Sequence, residues 1–258
     1  MLSEVCDNAP NSCRLALRHC HEDFRTGEPV QFYPGGIRIG QDKWISYSQC
    51  QQWHPPDLSI TAAQFHRISW HAWSALIHQE IKNSNSLFYY RGDNIFYREL
   101  EKQLNHHRES LLHALHSDLN PQTAISGLLG LGIGLTPTGD DWLTGFFAIW
   151  LLPGHPGCKD RQQFISAVAQ AKNKTTLLSA VTLGAAIQHR YRESIGQFIK
   201  KIANNDSKEI TDTLTEIKKI GSSSGCDMLC GMADACALTA CFGEHYDHQD
   251  SYQKEHLF

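Results

Sequence analysis

Two adjacent carboxylates, Asp140 and Asp141, stand in GLGIGLTPTGDDWLTGFF (130–147), at the mouth of a glycine-rich loop and just ahead of an apolar run. IGSSSGCDMLCG (220–231) echoes part of this text at an offset of 86 residues, Asp141 to Asp227. Gly139 falls on Gly225, Leu143 on Leu229 and Gly145 on Gly231, while Thr136 and Thr138 fall on Ser222 and Ser224. The common form is Ser/Thr-x-Ser/Thr-Gly-x-Asp-x-Leu-x-Gly, and each copy opens a helix.

The chemistry follows from the residue types. Ser or Thr followed by Gly suits a helix start, and an Asp in the first turn is favoured by the helix dipole. The free N–H groups of a helix start attract anions. Two such starts facing one pocket would bind a small carboxylate or phosphate substrate. Gly130, Gly132 and Gly134 alternate before the first copy, which helix capping does not need but a close backbone approach does. The stretch has no Lys, so it is not a P-loop, and GLGIGL lacks the third in-register glycine of a dinucleotide fingerprint.

The aspartates conflict with an anion at the same place. Three arrangements resolve the conflict. The carboxylates turn inward and cap loop amides, or hold Mg²⁺ that bridges to a phosphate, or accept from the N–H groups of an amide- or urea-like substrate. Capping is the first reading for Asp140. Ligand or metal contact is the first reading for Asp141 and Asp227.

The elements that must position these residues are legible in outline. PVQFYPGGIRIGQDKWISYS reads as hairpins, with Pro34-Gly35-Gly36 and Gly40-Gln41-Asp42 as turns. SLFYYRGDNIFYREL repeats that pattern, turning at 91–94. Between them TAAQFHRISWHAWSALIHQEI suits a helix capped by Thr61, and SCRLALRHCHEDF suits another capped by Ser12. From about residue 97 the spacing is helical, with further helices at about 141–151, 160–172, 175–203, 207–219 and 225–241; Asp160 and Asp206 stand at cap positions. The expected fold class is α+β: a small β-rich N-terminal domain (1–100; hairpins, barrel-like), a larger all-α domain (101–245) and a loosely ordered polar tail (246–258).

Composition narrows the function classes. The chain has 258 residues, 41% of them hydrophobic, and a net charge of −4. It has no Lys/Arg block of the kind that contacts nucleic acid or an anionic membrane. The apolar run Trp142 to Leu152 is half the ~20 residues that cross a bilayer. MLSEVCDNAP lacks the basic and apolar regions of a secretory signal. Nine cysteines is an odd number, four of them lie within 226–241 with no Cys-x-x-Cys, and reduced thiols in a cytoplasmic protein are expected. The histidines of the 97–117 helix (His106, His107, His113, His116) lack neighbouring ligands and read as a polar helix surface.

GLGIGLTPTGDDWLTG, TTLLSAVTLGAAIQHRYRESIGQFI (175–199) and IGSSSGCDMLCGMADA (220–235), in this order, resemble an uncharacterised bacterial domain family that includes the AllH-like subunit of oxamate carbamoyltransferase, of allantoin degradation. The resemblance covers about 125–235. It implies a part in carbamoyl transfer between oxalurate, phosphate, oxamate and carbamoyl phosphate, within a multi-protein complex. It carries over Gly132, Gly134, Thr136, Pro137, Thr138, Gly139, Asp140 and Asp141, then Thr175, Thr176 and Ser179, then Ser223, Ser224, Gly225 and Asp227. Ser222 stands where the family commonly has His, and Ile133 where it often has Pro. The loss of that His removes an acid–base candidate.

The expected function is a carbamoyltransferase-type subunit. Loop amides and the hydroxyls of Thr138, Ser224 and Thr175 hold oxyanions, and Asp141 and Asp227 orient –NH₂ groups or hold Mg²⁺. The alternative is a non-catalytic ligand-binding or scaffolding subunit.

Overall fold

The computed structural model describes residues 7–14 and 24–254. The helix expected over SCRLALRHCHEDF falls mostly on 15–23, outside the described residues. The fold is α+β, and it divides into two compact units, 11–54 and the remainder from residue 55 together with the first ten residues.

The smaller unit is a three-stranded antiparallel meander of β1 (Val30–Tyr33), β2 (Gly36–Ile39) and β3 (Lys43–Ser46). Tyr33 pairs with Gly36, so Pro34 and Gly35 are the whole turn; Gly35 takes φ +95°, which the second central position of a Pro-Gly turn requires. Ile39 pairs with Lys43 across the Gly40-Gln41-Asp42 turn. The sheet is open, so the barrel-like closure expected from sequence is absent among the described residues. Tyr33 and Trp44 pair their rings at 5.7 Å across the strands.

The larger unit is helical. Its elements are α1 (Ala62–Arg67), α2 (Trp70–Ile81), α3 (Ile95–His116), α4 (Gln122–Leu128), α5 (Thr138–Trp150), α6 (Arg161–Val168), α7 (Leu177–Ile187), α8 (Glu193–Ala203), α9 (Ile210–Lys218) and α10 (Ser224–Lys254). Thr61 caps α1 in a reciprocal box with Gln64. The second expected hairpin is not formed. Leu87–Tyr89 is a 3₁₀ turn capped by Ser86, and Asn94 caps α3 by accepting from Phe96 and Tyr97. The aromatic residues there alternate as in a strand, but an Asn cap followed by 22 helical residues decides the local conformation. The single helix expected over 175–203 is two, α7 and α8, broken where His189 takes φ +59°. Asp206 lies ahead of α9, whose N-cap is Glu209, and holds the Lys208 N–H instead.

The core is built around α5. Every residue of α5 is buried, and Trp142 stacks on Phe146 at 4.9 Å. Around it pack α10 and α7, and α2 packs on α10. Ser224–Phe242 of α10 is apolar and long enough to cross a membrane, but 78% of that window is buried inside the protein, as in a core helix. Its backbone stays helical to Lys254, where the sequence suggested a loose tail.

Candidate functional site

The two echoed segments are the starts of α5 and α10, and these helices cross at their matched glycines. A Cβ on Gly145 would lie 1.8 Å from the Met228 carbonyl oxygen, and one on Gly231 would lie 2.0 Å from that of Trp142. Gly145 and Gly231 each follow their aspartate by four residues; Trp142 and Met228 each follow by one. The contact is therefore reciprocal. The preceding helices are matched as well: a Cβ on Gly139 would lie 2.2 Å from Leu128 O at the end of α4, and one on Gly225 would lie 1.8 Å from Ile217 O near the end of α9. Each copy is thus a helix, a loop and a second helix packed back on the first. Thr136 and Ser224 share a hydroxyl–hydroxyl hydrogen bond of 2.8 Å, joining the two starts.

The glycine loop is held from three directions. Gly130 (φ +75°) has no room for a side chain against Lys174 O, and Gly132 (φ +139°) none against the Thr138 nitrogen. Asp140 accepts from the Gly130 N–H at 2.9 Å and from the Thr175 hydroxyl. Thr176 donates to Leu135 O at 2.6 Å while its oxygen caps α7 by accepting from Ser179 N. Asp140, Thr175 and Thr176 therefore fasten the loop to the start of α7. Burial raises the Asp140 carboxyl pKa, against the pull of the Thr175 and Gly130 hydrogen bonds. Gly139 N–H is bonded to Leu131 O and Gly225 N–H to Ile220 O. Those two amides are therefore not the open oxyanion donors that the sequence suggested; both glycines serve close backbone packing.

Asp141 and Asp227 differ from Asp140. They are 2% and 0% exposed, and Asp141 Oδ2 and both Asp227 carboxyl oxygens have no hydrogen-bond partner. Burial raises the Asp141 pKa well above the usual carboxylate value, and the charge of Asp227 raises it further. Burial pushes Asp227 up to about 7. The hydroxyls of Ser86, Ser223 and Thr138 are near enough to Asp227 to oppose that rise, though none makes a hydrogen bond of normal geometry to it. Ser224 and Thr136 do the same for Asp141. Ser179 Oγ is likewise buried and unpartnered. The result is a buried site in which the charges of two acids oppose each other among nearby hydroxyl groups. Among the described residues no three His, Cys, Asp or Glu side chains cluster as a metal site. Pro137 is the N-cap of α5 and offers no side-chain cap.

Gly134 (φ +85°), Ile133 and Leu135 form the outer edge of the loop, where a Cβ on Gly134 would meet nothing. Ile133, Leu135, Leu177, Leu178 and Val181 are large apolar residues left exposed at 44%, 61%, 75%, 47% and 41%. Ser222, where the family commonly has His, is also exposed.

A second polar cluster was not anticipated. Asp234 lies seven residues after Asp227 on the same helix. It receives both Arg108 Nε and Nη2 at 2.6 Å and Trp142 Nε1 at 2.8 Å. His78 Nε2 lies 3.8 Å from it; burial lowers the His78 pKa against the pull of Asp234. Tyr89 reaches His78 Nδ1 at 3.0 Å and Cys230 Sγ at 3.7 Å. The seven-residue spacing from Asp227 was the available signal for Asp234; nothing marks Arg108 within NHHRESL as its partner.

Duplicated helix starts that enclose two buried acids with unpartnered carboxyl oxygens make this the candidate functional site. The segment that carries them, residues 128–236, matches the family model described as oxamate carbamoyltransferase subunit AllH. That segment is therefore similar to the AllH family, in agreement with the resemblance drawn from its motifs, and the family's name is that of a subunit of oxamate carbamoyltransferase. No solved structure matches this chain.

Proposed function

We propose that this protein is a subunit of a carbamoyltransferase-type enzyme acting on oxamate or oxalurate and carbamoyl phosphate, and that it works in the cytoplasm with other subunits. The observation that carries the reading is the pair Asp141 and Asp227, buried where two helix starts meet with one oxygen of Asp141 and both of Asp227 unpartnered. Unpartnered buried carboxyls cost stability and are kept where a ligand completes them. Their raised pKa values also remove the conflict with an anionic substrate. A protonated Asp227 donates a hydrogen bond to an oxyanion instead of repelling it.

In this reading the hydroxyls of Thr136, Thr138, Ser223 and Ser224 and the positive ends of α5 and α10 bind the phosphate of the small anion. Asp141 and Asp227 accept from the carbamoyl –NH₂ or hold the proton that the transferred amide exchanges. Carbamoyl transfer needs chiefly positioning and oxyanion stabilisation, so a nucleophilic side chain is not required. A Mg²⁺ ion, where bound, would be held by Asp141 and Asp227 and would neutralise the phosphate. The exposed Ile133, Leu135, Leu177 and Leu178 lie beside the loop, a surface suited to burial against another subunit.

The test is turnover by the reconstituted complex carrying Asp141→Asn, with assembly checked by size-exclusion chromatography. The expected result is an assembled complex whose carbamoyl transfer falls by about 10²-fold or more. Unchanged turnover in that complex would refute the reading.

A further inference from the structure

A cleft of about 460 Å³ opens between the end of α2 and the start of α3, lined by Lys82, Ser86, Tyr89, Tyr90, Arg91 and Tyr97 among others. Its volume lies within the range of small-molecule sites. The side chains of Lys82 and Arg91 are exposed and make no hydrogen bond or ion pair with the described residues, unlike Arg98, which holds Asp93 at 2.5 Å nearby. Two unengaged cations in a cleft that tyrosines also line suit a carboxylate.

Ser86 links the cleft to the acid pair. It is 2% exposed, its oxygen accepts from Phe88 N at 3.2 Å, and its hydroxyl lies beside Asp227. A hydroxyl oxygen has two lone pairs and one proton. Ser86 can therefore accept an N–H from a cleft ligand while donating to Asp227. The hydroxyls of Ser86 and of Thr138 of α5 both lie near Asp227.

We infer that this cleft binds a small planar acid with an amide or ureido end, its carboxylate on Lys82 and Arg91 and its N–H groups on Ser86, relayed to Asp227. The inference rests on the carbamoyltransferase reading. It places the carboxylate substrate on the α2–α3 side of Asp227 and leaves the phosphate to the helix starts.

Isothermal titration of the full chain with oxamate and, separately, with inorganic phosphate tests it, using wild type and a Lys82→Ala/Arg91→Ala double variant. Both side chains are on the surface, so the double variant folds, which its melting curve verifies. The expected result is oxamate affinity at least tenfold weaker in the double variant with phosphate affinity unchanged. Equal oxamate affinity in the two proteins, an equal loss for both anions, or no oxamate binding to wild type overturns the inference. None of these outcomes changes the turnover of the Asp141→Asn complex, so a failure of the cleft and a failure of the proposed function are told apart.

Discussion

Gly145 sits on the backbone of Met228 so closely that a Cβ there would lie 1.8 Å from the Met228 carbonyl oxygen. Gly231 does the same to Trp142 at 2.0 Å, so the two helices that start at the acid pair are locked by one reciprocal contact. Each helix approaches with backbone, not side chain, and this sets the separation of Asp141 from Asp227. Gly145→Ala or Gly231→Ala must push α5 and α10 apart. Each is expected to cost about 3 kcal/mol or more in urea unfolding. Gly184→Ala, where a Cβ meets nothing within 4 Å, is the control. It should be neutral or stabilise by up to about 1 kcal/mol, since Ala favours helix over Gly.

The acid pair gives the fold a pH dependence with a defined sign. Asp227 rises from 3.8 to about 7 in the fold, so between these values the native state holds a proton that the unfolded chain has lost. Its contribution is full below about pH 4 and is lost as pH rises through about 7, about 4 kcal/mol for a shift of that size. His155 acts in the opposite sense. Burial lowers it to about 3, so its contribution is present above its unfolded value of 6.5 and is lost as pH falls. The wild-type curve mixes the two. The difference between wild type and Asp227→Asn isolates the aspartate: the variant's stability relative to wild type should rise from pH 5 to pH 8. A pH-independent difference in melting temperature would refute this.

The Arg108–Asp234 pair ties α3 to α10 beneath Trp142. Asp234 is 4% exposed and Arg108 18%, and the contact is bidentate at 2.6 Å. Arg108→Ala leaves a buried carboxylate with the Trp142 N–H, the weak Cys230 contact and His78 at 3.8 Å. The expected cost is about 3–5 kcal/mol by denaturant unfolding. An Arg108→Leu/Asp234→Leu double variant should cost less than the sum of its single variants, because neither charge is then orphaned.

These features were unequally visible in the sequence. The β1–β2–β3 meander was legible because Pro34-Gly35 and Gly40 permit few backbone paths. The start of α5 and of α10 was legible because the motif repeats. The fold of 82–97 was not: LFYY and IFY have strand composition, and the Asn94 and Ser86 caps that override it are single hydroxyl or amide groups. At the site, the pairing of Asp141 with Asp227 followed from the echo. The occupied amides of Gly139 and Gly225 did not, since their acceptors, Leu131 and Ile220, carry no side-chain signal for it. Ser86 and Arg108 come from distant segments, and only tertiary packing brings them to α10.

Adjacent in sequence, Asp140 and Asp141 should respond oppositely to mutation. Asp140 holds the Gly130 amide and the Thr175 hydroxyl, both at the loop's anchor points. Asp140→Ala orphans two donors, and the expected cost is about 2–4 kcal/mol with faster hydrogen exchange at the Gly130 amide. Asp141 has an unpartnered oxygen and a raised pKa, with Asp227 adding to the cost of ionising it. Asp141→Asn removes that ionisation, so above pH 7 it should leave stability unchanged or raise it by about 1–2 kcal/mol. Thermal melting of both variants at pH 8 decides between a structural and a functional aspartate. A large loss in Asp141→Asn would mean that this carboxyl, too, holds the fold together.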